Sequence, residues 1–151
     1  MTGINTAPRA LGALTGATLL LASLAPAAQA EELEAAAIAA GEVEYMSACA
    51  GCHGRDAMGD GPMADLMTIE TPDLTKMSER NGGTFPFAET LRLIDGREEV
   101  RAHGSDMPVW GDRYMLQAMI EEAASEPPEA AALMVHGRIV SLAYYLESIQ
   151  R

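Results

Sequence analysis

The stretch Cys49-Ala50-Gly51-Cys52-His53 decides the fold of this 151-residue chain. C-x-x-C-H is the attachment signature of a c-type haem, in which each thiol bonds one vinyl group of the porphyrin and the histidine binds the iron. The chain contains no other cysteine. A thioredoxin-like dithiol is the alternative, but it is expected near a βαβ pattern and does not need the histidine. The motif therefore predicts one covalently bound haem on Cys49 and Cys52, with His53 as an iron ligand.

The first 30 residues have the composition of a secretory signal peptide. Arg9 is the one charged residue there, an apolar stretch follows over residues 11–24, and Ala28-Gln29-Ala30 supplies a small-residue cleavage site. We therefore predict cleavage after Ala30, a mature domain over residues 31–151, and export to the periplasm, since bacterial c-type haems are attached outside the cytoplasm. An uncleaved membrane anchor is the alternative. No other segment approaches the roughly 20 apolar residues of a spanning helix, so no stable membrane insertion is expected after cleavage.

The mature domain is strongly acidic. All 22 acidic residues and nine of the ten basic residues lie in it, so its formal charge is 9 − 22 = −13. Nucleic acid and anionic membranes are poor partners for such a surface. The acidic residues either serve only to solvate the surface or steer the protein toward redox partner proteins with a basic docking patch, and such an encounter weakens with salt.

The residue pattern of the mature domain predicts a small all-α fold. Helix formers fill residues 32–48, a short helix is expected near 63–67, and the rest of 54–87 is expected to be ordered loop. No stretch shows the sustained alternation of a strand. The last helix has the clearest periodicity, and its apolar stripe consists of Val135, Ile139, Leu142, Leu146 and Ile149.

Two further helices are expected between the haem motif and the last helix. One covers residues 88–94 and ends at Gly96, and the other starts at Asp112 as its cap and ends near Ala124. The domain has few aromatic residues, so a buried porphyrin is expected to supply part of its core. The chain without haem should then fold poorly.

Met107 is predicted to bind the face of the iron opposite His53. A thioether there raises the reduction potential and closes the iron to other ligands, as electron transfer requires. Met107 lies in the loop Asp106-Met107-Pro108-Val109-Trp110-Gly111, 107 − 53 = 54 residues after His53, and the proline stiffens the backbone that aims the sulfur. An open position is one alternative. The other candidate ligands are Met58, Met63, Met67, Met77 and His103.

Four further methionines lie in predicted helices, where a flexible thioether usually fills the core. These are Met46, Met115, Met119 and Met134.

Residues 40–150 resemble the class I c-type cytochromes, particularly the bacterial periplasmic ones with one haem. Gly41 and Tyr45 match the glycine and the aromatic residue of that family's N-terminal helix. Leu142, Tyr145 and Leu146 match the C-terminal helix that crosses it. The resemblance implies the small all-α cytochrome c fold, with three to five helices around one covalently bound haem. It also implies that the glycine lets the two terminal helices approach closely.

The resemblance also assigns a residue behind the proximal histidine. Gly61-Pro62 is similar to the family's Gly-Pro turn, whose proline carbonyl accepts a hydrogen bond from the second nitrogen of the histidine. From its own chemistry, Trp110 is expected in the haem pocket, either as packing or as a donor to a propionate. Arg55, Arg97 and Arg101 are either propionate partners or ordinary exposed arginines.

The resemblance implies electron transfer rather than catalysis. In that role one haem c cycles between its ferric and ferrous states, and the protein supplies orientation, burial and tuning of the potential. We therefore expect a periplasmic one-electron carrier with His/Met ligation and not an enzyme. One alternative is a haem-bearing electron-transfer subunit of a larger periplasmic dehydrogenase or reductase complex. The other is a haem enzyme or gas sensor whose sixth position is open.

Overall fold

The computed structural model of this chain describes residue 3 and residues 25–97, 107–121 and 128–151. All regular structure in these residues is helical, so the predicted all-α class is confirmed. The α-helices are α1 (Ala25–Ala48), α2 (Ala50–His53), α3 (Met77–Arg80), α4 (Phe87–Asp95), α5 (Trp110–Glu121) and α6 (Pro128–Ser148). The number exceeds the predicted three to five because α2 and α3 are single turns of four residues each. Two 3₁₀ helices, Ala64–Leu66 and Leu74–Lys76, lie between α2 and α3.

The N-terminal helix starts earlier than predicted. It begins at Ala25, ahead of the predicted cleavage site at Ala30, because its first turns are rich in alanine, the best helix former. Most of the predicted signal peptide, including Arg9 and residues 11–24, lies outside the described residues. Residues 34–151 form one compact unit. Within the part of the chain that the structure describes, no helix has both the length and the hydropathy to cross a membrane.

The crossing of α1 and α6 depends on Gly41. A Cβ placed on Gly41 would overlap the backbone carbonyl of Ser141 and lie 2.9 Å from Cβ of Tyr145. The two helix backbones therefore touch at this point, as the sequence led us to expect. One turn later, the rings of Tyr45 and Tyr145 pack together with their centroids 5.2 Å apart.

The apolar stripe of α6 forms the centre of the core. Val135, Ile139 and Leu142 are each 1% exposed and Leu146 is 5% exposed, while Ile149 packs at the edge as a half-buried residue. This helix packs against both α4 and α5. The periodicity read from the sequence therefore identifies the buried face correctly.

The predicted limits of α4 and α5 are met in part. Gly96 ends α4 with a φ of 70°, a left-handed conformation, and its N–H donates to the carbonyl of Arg92 at 2.9 Å. Helix α5 begins at Trp110, so the prediction that Asp112 caps it is wrong. The carbonyl of Val109 already accepts a hydrogen bond from the N–H of Arg113, which leaves Asp112 inside the first turn, where a carboxylate favours the helix dipole. The predicted end at Ala124 lies outside the described residues.

Residues 73–80 are more regular than the predicted loop. Asp73 caps the 3₁₀ helix, since its Oδ1 accepts hydrogen bonds from the backbone N–H of Thr75 at 2.8 Å and from the Thr75 hydroxyl at 2.6 Å. The amide of Gln150 connects this segment to the C-terminus. It donates to the carbonyls of Leu74 and Leu146, and its oxygen accepts from the N–H of Ser78.

Candidate functional site

The haem motif forms a single helical turn at the end of α1. The backbone N–H of Cys49 donates to the carbonyl of Tyr45 at 2.8 Å, and that of His53 donates to the carbonyl of Cys49 at 2.9 Å. Both cysteines are free thiols and half-buried, whereas His53 is 8% exposed. The turn therefore holds two thiols and one imidazole close together.

The chain that follows the motif folds back over it. The N–H of Gly61 donates to the carbonyl of Cys52 at 3.0 Å, and the N–H of Met63 donates to the carbonyl of Gly51 at 2.9 Å. A Cβ on Gly61 would lie only 2.5 Å from these two carbonyl oxygens. Glycine is required here because the backbone must approach closely enough to satisfy the last carbonyls of α2.

Two cavities meet at the motif. The first is lined by both cysteines, His53, residues 69–72, Met107 and Trp110. The second extends into the core and is lined mainly by side chains of α3, α4 and α6. Cys49, His53 and Met107 line both cavities.

The carbonyl beside His53 belongs to Pro72. Nδ1 of His53 lies 3.4 Å from the Pro72 oxygen. When Nδ1 carries the ring proton it donates to this carbonyl, and Nε2 is then the nitrogen suited to a metal. Pro62, which the resemblance assigned to this position, is exposed, and the Gly61-Pro62 step is held against the backbone of α2. Its role behind the histidine stays a prediction.

The methionines separate by their position relative to the cavities. Met107 lines both, Met67 lines only the first and Met77 only the second. Met58 and Met63 line neither cavity and are 45% and 47% exposed. His103 lies outside the described residues. Among the described candidates, Met107 is thus the one that shares both cavities with His53.

The helical methionines divide evenly. Met46 and Met115 pack against the core, as predicted. The same prediction is wrong for Met119 and Met134, which are 62% and 49% exposed. Helical position alone does not distinguish the buried face in α5, where apolar side chains occur on both faces.

Trp110 lines the first cavity beside Met107. Its ring packs on Tyr114, with centroids 5.5 Å apart, and the guanidinium of Arg113 lies 5.4 Å from its centroid. Of the arginines considered as propionate partners, Arg97 pairs with Asp95, Arg55 is exposed and Arg101 lies outside the described residues. The described residues contain no group of three or more His, Cys, Asp or Glu side chains suited to a separate metal ion.

Burial makes the Cys49 thiol a poor redox nucleophile. It raises the pKa of Cys49 to about 12, and the nearby carboxylate of Glu44 acts in the same direction. Dithiols of the thioredoxin type work with lowered pKa values, because the thiolate is the reactive form. The structure therefore argues against the redox-dithiol alternative.

Tyr45 fixes the backbone next to the histidine. Its side chain is fully buried, and its hydroxyl donates to the carbonyl of Gly54, the residue after His53, at 2.7 Å. The sequence matched Tyr45 only to the aromatic residue of the family's N-terminal helix and did not predict this hydrogen bond. The hydroxyl that distinguishes tyrosine from phenylalanine at this position is the feature that could have indicated it.

We expect Tyr45→Phe to lower the free energy of unfolding of the haem-loaded protein by about 1 kcal/mol, since the buried carbonyl of Gly54 loses its shorter hydrogen bond and keeps the one from the N–H of Ala57 at 3.3 Å. Urea unfolding at neutral pH measures the loss. Tyr145→Phe is the matched control, and it should change stability by less than about 0.5 kcal/mol. An equal loss in both variants would assign the effect to ring packing instead.

The same hydroxyl should contribute to alkaline sensitivity. Burial raises the pKa of Tyr45 in the folded chain, so the unfolded chain loses this proton first. Its contribution to stability is complete at neutral pH and is lost as the pH rises above about 10. The Tyr45→Phe variant should therefore lose less stability over that range than the unmutated protein.

Comparison with known protein families gives one match. Residues 38–132, more than half of the chain, match the family model described as Cytochrome c. No significant match was found among curated proteins or among solved structures. The matched range contains the C-x-x-C-H motif, Pro72, Met107 and Trp110.

Proposed function

Since the chain belongs to the cytochrome c family, we propose that it is a class I bacterial periplasmic carrier with one haem, ligated by His53 and Met107. Members of the family bind covalently attached haem c and are in general electron carriers rather than enzymes. The observation that carries the proposal is the shared lining of both cavities by Cys49, His53 and Met107. One thiol, one imidazole and one thioether thus face the same space.

The residues around the cavities suit a haem. Cys49 and Cys52 are positioned to hold it by thioether bonds, and the imidazole and thioether are ligands that haem iron accepts. When bound, haem supplies a reversible one-electron change at its iron. The carbonyl of Pro72 keeps the Nδ1 proton in place, which orients the ring and makes Nε2 a stronger donor.

The lining of the core cavity excludes water. In the core cavity the aliphatic side chains of Leu74, Ile94, Leu142 and Leu146 are each less than a tenth exposed. His53 and Met107 would hold the iron of a haem within this apolar wall, and the haem would supply a reversible one-electron change there.

The first experiment combines intact mass with absorption spectra. The protein is expressed with haem-maturation machinery and isolated from the periplasm. We expect the mass of residues 31–151 plus one haem, low-spin ferric and dithionite-reduced spectra, and only a slow spectral change with carbon monoxide. High-spin iron, or ready carbon monoxide binding by the unmutated protein, would contradict the carrier function and favour a haem enzyme or gas sensor. A mass that retains residues 1–30 would show that the leader is not cleaved.

Charge around the first cavity supports a basic docking partner. Residues 54–72 contain four exposed acidic side chains and one exposed basic one, Arg55. Glu70 and Ile69 line the cavity and are exposed at its rim. A redox partner with a basic rim and an apolar centre fits this surface.

We expect the second-order rate of electron transfer to such a partner to fall as ionic strength rises, because attraction between exposed charges is screened. Glu70→Lys should slow the reaction by about two- to tenfold at low salt through weaker steering. Glu147→Lys, at an exposed position near the end of α6, is the control with the same change in net charge. Equal slowing by both variants would mean that overall charge and not this rim guides docking.

One observation favours the complex-subunit alternative. Apolar side chains on α5 and the start of α6 are strongly exposed, with Leu116 and Met119 at 62%, Ile120 at 68% and Leu133 at 72%. Apolar surface of this kind often marks a protein interface. Size-exclusion chromatography of the natively expressed protein separates the two functions. A monomer supports the free carrier, and co-purification with a dehydrogenase or reductase supports the subunit.

A further inference from the structure

The end of α4 carries an ion pair that packs against the start of α5. Nε of Arg97 lies 2.5 Å from Oδ1 of Asp95, and its Nη2 donates to Oδ2 at 2.7 Å, so the contact is bidentate. Asp95 closes α4, and Arg97 is the last described residue before 98–106. The attraction to Arg97 lowers the pKa of Asp95, which keeps the pair charged.

The ion pair lies directly on the backbone of α5. A Cβ on Gly111 would overlap Oδ1 of Asp95 and lie 2.6 Å from Nε of Arg97. Gly111 is buried in the first turn of α5. The pair is therefore packed against the chain that returns from Met107 and is not merely a surface contact between neighbours in sequence.

A second contact lies beside the first. A Cβ on Gly96 would be 3.3 Å from Cα of Val109. Gly96 precedes the segment that carries Met107, and Val109 follows Met107 by two residues. The two close approaches hold the end of α4 against Val109 and Gly111, which follow Met107 by two and four residues.

We propose that Asp95, Arg97 and Gly111 form a clasp whose task is to position the sulfur of Met107. The inference rests on the proposed ligation by Met107. Packing of the pair against Gly111 fixes where the chain that follows Met107 lies, so less entropy is lost when the sulfur is fixed at the iron. Asp95 and Arg97 are positioning residues, since neither lines the cavities.

The experiment uses the haem-loaded protein and carbon monoxide as the probe. Arg97→Gln breaks the pair while keeping most of the side chain, and Gly111→Ala places a methyl group where the pair lies. We expect carbon monoxide to bind the ferrous protein about two- to fivefold faster in Arg97→Gln, in line with a half-exposed ion pair. The increase should reach about tenfold in Gly111→Ala, where a close contact is overpacked. Arg97→Lys should restore part of the slow binding.

Two controls separate positioning from general stability. Glu79→Gln removes the exposed Lys76–Glu79 pair, which is 3.1 Å long and far along the chain from Met107. Gln150→Ala loosens the C-terminus and lowers global stability. Neither variant should change the rate at which carbon monoxide binds or the weak far-red absorption band of the ferric protein.

The outcomes distinguish the clasp from the ligand. If Arg97→Gln and Gly111→Ala keep the slow rate while Met107→Ala binds carbon monoxide readily, the clasp is wrong and the ligand assignment stands. If Gln150→Ala accelerates binding as much as Arg97→Gln does, the effect is one of stability and the clasp is again wrong. If the unmutated protein already binds carbon monoxide readily, the proposed ligation itself fails.

Discussion

Met107→Ala is expected to abolish the weak far-red band of the ferric protein and to open the ferrous iron to carbon monoxide. The alanine has no donor atom, and the remaining axial ligand would be His53. The midpoint potential should fall by a sizeable part of the roughly 0.8 V range that axial ligands cover, because a thioether favours the ferrous state. Absorption spectra and a redox titration of the haem-loaded variant measure these effects.

Two other methionines provide the controls for this experiment. Met67 and Met77 each line one of the cavities that Met107 shares with His53. Met67→Ala and Met77→Ala should keep the far-red band and the slow reaction with carbon monoxide, while losing some stability as smaller side chains in a cavity wall. If Met77→Ala removes the band and Met107→Ala keeps it, the ligand assignment moves to α3.

The difference between Pro62 and Pro72 shows where sequence reasoning reached its limit. Each proline follows a turn-forming residue within twenty positions of His53, and local pattern cannot tell which carbonyl returns to the ring. In the fold, the N–H of Leu74 donates to the carbonyl of Ala57 and brings the chain around Pro72 toward the motif. Leu74 is 9% exposed, and this apolar residue is the feature of the sequence that could have indicated that the chain around Pro72 packs inward.

Features that depend on local spacing were predictable, whereas long-range contacts were predictable only where the family resemblance supplied them, as at Gly41. The stripe of α6 follows from helix period alone, so its buried face could be predicted. The side chain of Gln150 forms hydrogen bonds with Ser78 and Leu74, which lie 72 and 76 positions earlier in the chain. The packing of the Asp95–Arg97 ion pair on Gly111 likewise requires that α4 and α5 are already in place. Single-turn elements such as α3 carry too few residues for any periodicity.

Gly41→Ala is expected to destabilise the protein by about 3 kcal/mol, in spite of the higher helix propensity of alanine. The new methyl group would overlap the carbonyl oxygen of Ser141 and lie 2.5 Å from its carbon. These are backbone atoms of α6, so a side-chain rotation cannot relieve the clash. Helices α1 and α6 must separate, and α1 leads directly into the haem motif.

Gly137→Ala is the matched control and should change the free energy of unfolding in the opposite direction. Gly137 also lies in a helix interior, but a Cβ there meets no atom within 4 Å. Alanine should therefore stabilise the protein by roughly 0.5–1 kcal/mol, the propensity difference between the two residues. Urea unfolding of both haem-loaded variants measures the contrast. If Gly41→Ala proved as stable as Gly137→Ala, the close contact of the terminal helices would not hold them in place, and the motif would have to be positioned by Tyr45 and the chain after it alone.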